Sequence, residues 1–211
     1  MQQEQSVHIP AGPCALAGIL SVPEASHALV LFAHGSGSGR LSPRNQYVAR
    51  ALNQAGIGTL LMDLLTEEED TVYKTRFNID LLTERLLLAT QWAREQPSTR
   101  QLAVGYFGAS TGAAAALRAA AASSSAIGAV VSRGGRPDLA EDALPHVRAP
   151  TLLIVGGNDK VVLDLNRQAY ARLACEKNLV VVPGATHLFE EPGKLEEVAR
   201  CAMEWFQRYV S

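Results

Sequence analysis

Six short runs in this chain are apolar almost without interruption: Ala28–Ala33 (ALVLFA), Gly58–Asp63 (GTLLMD), Leu102–Phe107 (LAVGYF), Ile127–Val131 (IGAVV), Thr151–Val155 (TLLIV) and Leu179–Val182 (LVVV). A strand with one wet face alternates apolar and polar residues. A run apolar at every position has both faces covered, as in a parallel sheet flanked by helices. The stretches between the runs have helical character. Pro43–Gln54 stops short of Gly56, and Asn78–Arg94 sets Ile79, Leu82, Leu86 and Ala93 on one face before Pro97. Ser110–Ala122 is mostly alanine, the strongest helix former, and Asp164–Cys175 and Leu195–Tyr209 complete the set. Strand and helix in alternation predict an α/β fold: three layers, doubly wound, a mostly parallel sheet of about seven strands with helices on both faces. Residues up to Val22 fit an antiparallel edge hairpin. Ser123–Ser124–Ser125 reads as a polar stop to the alanine helix. With no repeat and no linker, residues 1–211 read as a single domain.

Composition narrows the partners. Of the 211 residues 47% are hydrophobic and 19% charged, with a formal net charge of −2, and no basic run offers a surface for nucleic acid. No stretch reaches the ~18 consecutive apolar residues of a membrane span. The opening residues MQQEQSVHIP lack the basic start and apolar stretch of a secretory signal. Cys14, Cys175 and Cys201 are widely spaced and form no CxxC pair, so they are expected reduced and mostly buried, in a cytoplasmic protein. No cluster has the spacing of metal ligands, and neither metal nor organic cofactor is expected.

Chemistry concentrates at the ends of the apolar runs. Gly108-Ala109-Ser110-Thr111-Gly112 matches G-x-S-x-G, directly after LAVGYF and directly before the alanine helix. A serine at such a sharp turn has its hydroxyl exposed, and the helix N-terminus supplies free amides and a positive field where an oxyanion would develop. A plain serine N-cap with incidental glycines is the competing reading. A serine nucleophile needs a base. Of His8, His27, His34, His146 and His187, only His187 follows a late strand, in GATHLF beyond LVVV. The imidazole in turn needs an acid to orient it. Asp159 follows TLLIV in the turn sequence GGND, and the order Ser, Asp, His is the one this architecture uses. Asp63 is the fallback acid. Glu190 and Glu191 lie too near His187 in sequence to come first.

The loop His34-Gly35-Ser36-Gly37-Ser38-Gly39-Arg40 could aim backbone amides inward, so the N–H groups of Ser36 and Thr111 are the expected oxyanion hole. His34 is expected to brace this loop rather than react. A dinucleotide site is the rival reading, but G-x-G-x-x-G fails: counted from Gly35 its last position is Arg40, and from Gly37 it is Ser42. No Gly-Lys-Ser/Thr phosphate loop is present either.

The motifs AHGSGSG, GASTG, PTLLIVGGND and PGATHLF together resemble those of α/β-hydrolases, in particular the small dienelactone-hydrolase-like group. The resemblance runs from about Leu29 to Trp205. It implies an esterase-like enzyme without metal or organic cofactor, with Ser110 as nucleophile, Asp159 as acid and His187 as base. Dienelactone hydrolase itself uses cysteine where this chain has Ser110, so the family name implies fold more than substrate. Similar sequences also occur attached to phosphoribosyltransferase domains, and this chain carries none.

Only Ser132–Ala149 separates IGAVV from TLLIV, room for a loop and one short helix but not for a cap domain. An open site and a small substrate are expected. Arg133 and Arg136 lie at the functional edge of the sheet, where either could meet a substrate carboxylate or phosphate. An ion pair with Asp138, Glu141 or Asp142 is the alternative for them. The sequence thus points to a serine hydrolase of small carboxylic esters, lactones or thioesters. Its competitor is an idle α/β-hydrolase fold that binds a small molecule or partner protein. The oligomeric state is not legible.

Overall fold

The structure, a computed structural model, describes residues 4–123 and 127–210. Ser124 and Ser125 of the expected serine stop lie outside the described residues. The sheet has eight strands: β1 (Glu4–Ala11), β2 (Cys14–Ser21), β3 (Ala28–Ala33), β4 (Gly58–Met62), β5 (Ala103–Ala109), β6 (Ile127–Arg133), β7 (Thr151–Gly156) and β8 (Lys177–Val182). They lie side by side in the order β1-β2-β4-β3-β5-β6-β7-β8. β1 and β2 form the expected edge hairpin, and β2 is also antiparallel to β4. From β4 to β8 every pairing is parallel. The sheet therefore exceeds the expected seven strands by one, because both arms of the hairpin join it.

Among the described residues, five α-helices lie between strands, α1 (Pro43–Gln54), α2 (Glu67–Thr71), α3 (Ile79–Glu95), α4 (Thr111–Ala122) and α5 (Lys160–Arg172), and a sixth, α6 (Lys194–Tyr209), follows β8. Period-2 alternation sends strand side chains into two cores. Leu29, Leu31, Tyr106, Val130 and Leu153 pack with α3, α4 and α5. Val30, Phe32, Phe107, Val131 and Ile154 pack with α1 and α6. Both faces of the central strands are dry, which is why those segments carry no polar alternation. Between β6 and β7 lies only a kinked 3-10 segment, Pro137–His146, so no cap covers the sheet edge.

Two helices depart from the sequence reading. α2 was not foreseen, being too short to show apolar periodicity. Its signal is the capping box: Thr66 Oγ1 accepts from Glu69 N–H, and the Glu69 carboxylate accepts from Thr66 N–H at 2.8 Å. α5 starts at Lys160 instead of Asp164, immediately after the turn at Asp159, and ends at Arg172 instead of Cys175. Lys177 Nζ closes that end by donating to the carbonyls of Tyr170 and Leu173 at 2.7 and 2.6 Å. Cys201 is buried and Cys14 and Cys175 are half-buried, all three as free thiols, so the expectation of mostly buried cysteines holds for one of them.

Candidate active site

The C-terminal ends of β3, β5, β6, β7 and β8 bring the candidate residues to one edge. Ser110 joins β5 to α4 with φ 50° and ψ −120°, a conformation that L-residues rarely adopt. Neighbours hold it there. Its N–H donates to Arg133 O at 3.2 Å and its carbonyl accepts from Arg136 N–H at 3.0 Å. The flanking glycines are steric necessities. A Cβ on Gly112 would lie 2.1 Å from Ala33 O, and one on Gly108 2.5 Å from Ala113 Cα. A Cβ on Gly35 would lie 2.9 Å from Ser110 Cβ, so the loop after β3 passes directly against the serine.

His187 and Asp159 are joined. Nδ1 of His187 donates to Asp159 Oδ2 at 2.6 Å, which fixes the ring and leaves Nε2 as the nitrogen able to take a proton. The turn that carries Asp159 is bolted to the loop that carries His187. Gly157 N–H donates to Val182 O at 2.8 Å, and Asn158 N–H donates to Ala185 O at 2.9 Å. Gly156 permits this contact, since a Cβ there would lie 2.5 Å from the carbonyl oxygens of Ala185 and Thr186. Asp159 is the N-terminal residue before α5 yet makes no capping bond, because its carboxylate is turned to the imidazole. The ring packs on Gly134, whose notional Cβ would lie 3.5 Å from His187 Nδ1. Gly134, at φ 53°, follows the arginine that holds the Ser110 amide, so serine and histidine flank one turn. That turn was missed from the sequence. Its only signal was the glycine pair in RGGR.

The fallback acid is occupied elsewhere. Asp63 is paired with the Arg40 side chain and accepts from the Arg40 N–H at 2.7 Å, which anchors the glycine loop to β4. Glu190 pairs with Arg44 at 2.9 Å, and Glu191 accepts from Thr186 N–H at 3.0 Å. His34 braces the loop, as expected. It is buried, Nδ1–H donates to Gly35 O and Nε2 accepts from Leu64 N–H, both at 2.9 Å. Burial lowers its pKa, so the ring is neutral.

Two of the candidate groups already have partners in the structure. The Ser36 N–H, expected to face an oxyanion, donates instead to Thr111 Oγ1 at 2.9 Å. The short threonine side chain at the helix start lies within reach and satisfies the amide. Thr111 N–H, in the first helical turn, has no intrahelical acceptor and keeps the role open to it. Arg136 forms a two-point ion pair with Asp138, Nε to Oδ1 at 2.8 Å and Nη2 to Oδ2 at 2.7 Å. This is the ion-pair reading of Arg136, with the partner two residues away. Arg133 is different. It is 5% exposed, and its side chain makes one hydrogen bond, from Nη2 to Asn45 Oδ1 at 3.3 Å.

Over residues 45–211 the chain matches the model of the dienelactone hydrolase family. The chain belongs to the dienelactone hydrolase family. A structure of a dienelactone hydrolase from Anabaena variabilis is similar to it over 100% of this chain and 99% of that one, with a TM-score of 0.97 and 55% identity. Est1E from Butyrivibrio proteoclasticus shares the fold at 17% identity, with a TM-score of 0.83 over 96% of this chain and 98% of that one. Two Mycobacterium tuberculosis proteins provisionally named phosphoribosyl transferases are 58% identical over 97% of this chain. The chain spans about half of their length, 46%. Family membership and the fold support a hydrolase.

Proposed function

We propose that this hydrolase cleaves small carboxylic esters, lactones or thioesters through an acyl-enzyme on Ser110. One observation carries the reading: a strained serine at a strand-to-helix elbow shares an edge with an imidazole already oriented by a carboxylate, His187 Nδ1 to Asp159 Oδ2 at 2.6 Å. Ser110 Oγ would attack the substrate carbonyl while His187 Nε2 takes the hydroxyl proton. The proton then goes to the leaving alcohol or thiol as the acyl bond breaks. Water, deprotonated by the same nitrogen, releases the acid and restores the serine. Ser110 Oγ makes no hydrogen bond among the described residues, so its contact with His187 closes in the substrate complex, as is common for unliganded sites. Thr111 N–H would meet the oxyanion. Ser36 N–H would join it once the Thr111 hydroxyl turns away.

A fluorophosphonate probe tests this. Wild-type protein should be labelled at Ser110, and Ser110→Ala should abolish both label and most turnover. Absence of label on folded wild-type protein would favour an idle binding fold instead. Asp159→Asn should slow acylation by up to ~10⁴-fold through loss of imidazole orientation. Asp63→Asn, which loosens only the glycine loop, should cost far less. The opposite ranking in stopped-flow acylation would unseat Asp159.

A further inference from the structure

Asn166 is a buried polar side chain that the reaction steps above leave unused. It stands in α5 seven residues beyond Asp159, about two helical turns on and so on the same side of the helix. It is 0% exposed. Asparagine is seldom fully buried, because an amide taken out of water costs free energy unless its groups are paired. Here Nδ2 donates to Gly135 O at 2.9 Å and to Val162 O at 2.8 Å, while Oδ1 has no hydrogen-bond partner among the described residues. Val162 O lies within the same helix. Gly135 lies outside any helix or strand, so Asn166 supplies the donor that regular structure would otherwise give its carbonyl.

The turn held in this way stands between Ser110 and His187. On one side, Arg133 O accepts the Ser110 N–H at 3.2 Å and Arg136 N–H donates to Ser110 O at 3.0 Å. On the other, the His187 ring packs on Gly134. The two central residues of the turn are glycines, with no side chain to anchor them. Gly135 has no room for one: a Cβ there would lie 2.0 Å from Ser132 Oγ and 2.6 Å from Ala113 Cβ, in the first turn of α4. The anchor must therefore come from another element, and it comes from the helix that begins at Asp159. We infer that Asn166 is a positioning residue of the hydrolytic site, which by tethering Gly135 to α5 sets the spacing of Ser110 and His187. One helix then orients the base through Asp159 and holds the turn beneath the base and behind the nucleophile through Asn166. The inference rests on the serine-hydrolase reading above.

Two substitutions test it. Asn166→Leu removes both donors at similar volume. Asn166→Ser keeps a hydroxyl able to bond the carbonyl four residues back, Val162 O, but too short to reach Gly135 O. In stopped-flow acylation by para-nitrophenyl acetate, the maximal rate should fall about tenfold or more in each, since misplacing reacting groups by about 1 Å can cost ~10²-fold. The half-saturating ester concentration should stay within about twofold of wild type, because ester binding does not depend on the proton transfer. Labelling of Ser110 by fluorophosphonate should slow in parallel. Asn53→Leu is the control: this buried asparagine of α1 donates to Ile57 O at 2.9 Å and Thr59 Oγ1 at 3.0 Å, at the start of β4 and the sheet edge opposite the site. It should lower the melting temperature yet leave acylation within about twofold of wild type. Wild-type acylation in Asn166→Ser, an equal loss in Asn53→Leu, or a rise in half-saturation that accounts for the loss would each make Asn166 merely structural and overturn the inference. Wild-type protein that takes no label and turns over no ester would instead bring down the serine-hydrolase reading itself.

Discussion

At Ser110 the backbone holds φ 50° and ψ −120° in a non-glycine residue, a cost on the order of 1–3 kcal/mol that neighbouring contacts sustain. Glycine adopts such a conformation without penalty. Ser110→Gly should therefore leave the protein unlabelled by fluorophosphonate yet stabilise it by about 1 kcal/mol relative to Ser110→Ala, measured by urea unfolding. An alanine variant as stable as the glycine variant would mean that the turn is not strained in solution. The strain was inferable from G-x-S-x-G in its strand-to-helix setting. The fate of individual amides was not. Ser36 and Thr111 are 75 positions apart, and their mutual hydrogen bond depends on where the glycine loop lands.

At the level of elements, the elbow works because α4 comes against the end of β3 without side chains between them. Gly112 sets that distance: a Cβ there would meet the carbonyl oxygens of Ala33 and His34 at 2.1 and 2.4 Å, both fixed backbone atoms. Gly112→Ala should destabilise the fold by about 2 kcal/mol or more and lower labelling of Ser110, because helix and loop must separate. Wild-type stability in chemical denaturation would show that the helix shifts freely. Strand placement was legible because burial on both faces leaves a composition signal. The start of α5 was not, because Asp159 spends its carboxylate on His187 and so gives no cap.

For the molecule as a whole, stability should depend on pH through His34. Burial lowers its pKa below the ordinary imidazole value of about 6.5, and the ring binds Gly35 O and Leu64 N in one neutral tautomer. Above about 6.5 neither folded nor unfolded chain carries a proton there. As pH falls below that value, the unfolded chain takes up a proton that the folded chain refuses. Stability is then lost at up to about 1.4 kcal/mol per pH unit until the folded pKa is reached. Urea unfolding at pH 7.5 and 5.5 should show this loss for wild type and a smaller one for His34→Gln. Equal losses would place the titrating group elsewhere.

The sequence by itself determined the α/β order, the parallel core, the absence of a cap between β6 and β7, and the serine elbow. Each of these is local: an uninterrupted apolar run, a short connection, or a pentapeptide between strand and helix. It also named Asp159 and His187, as turn residues after late strands, but not their contact. Tertiary structure alone decided that Asp159 rather than Asp63 reaches the imidazole, since β7 and β8 are neighbours while Asp63 is drawn to Arg40. It likewise separated two arginines three residues apart. Arg136 finds Asp138 in its own loop, whereas Arg133, by strand alternation, turns into a buried face where its hydrogen-bond partner is Asn45. Sequence fixes which way a strand residue points once its register is known; what waits on that side depends on elements folded from elsewhere in the chain.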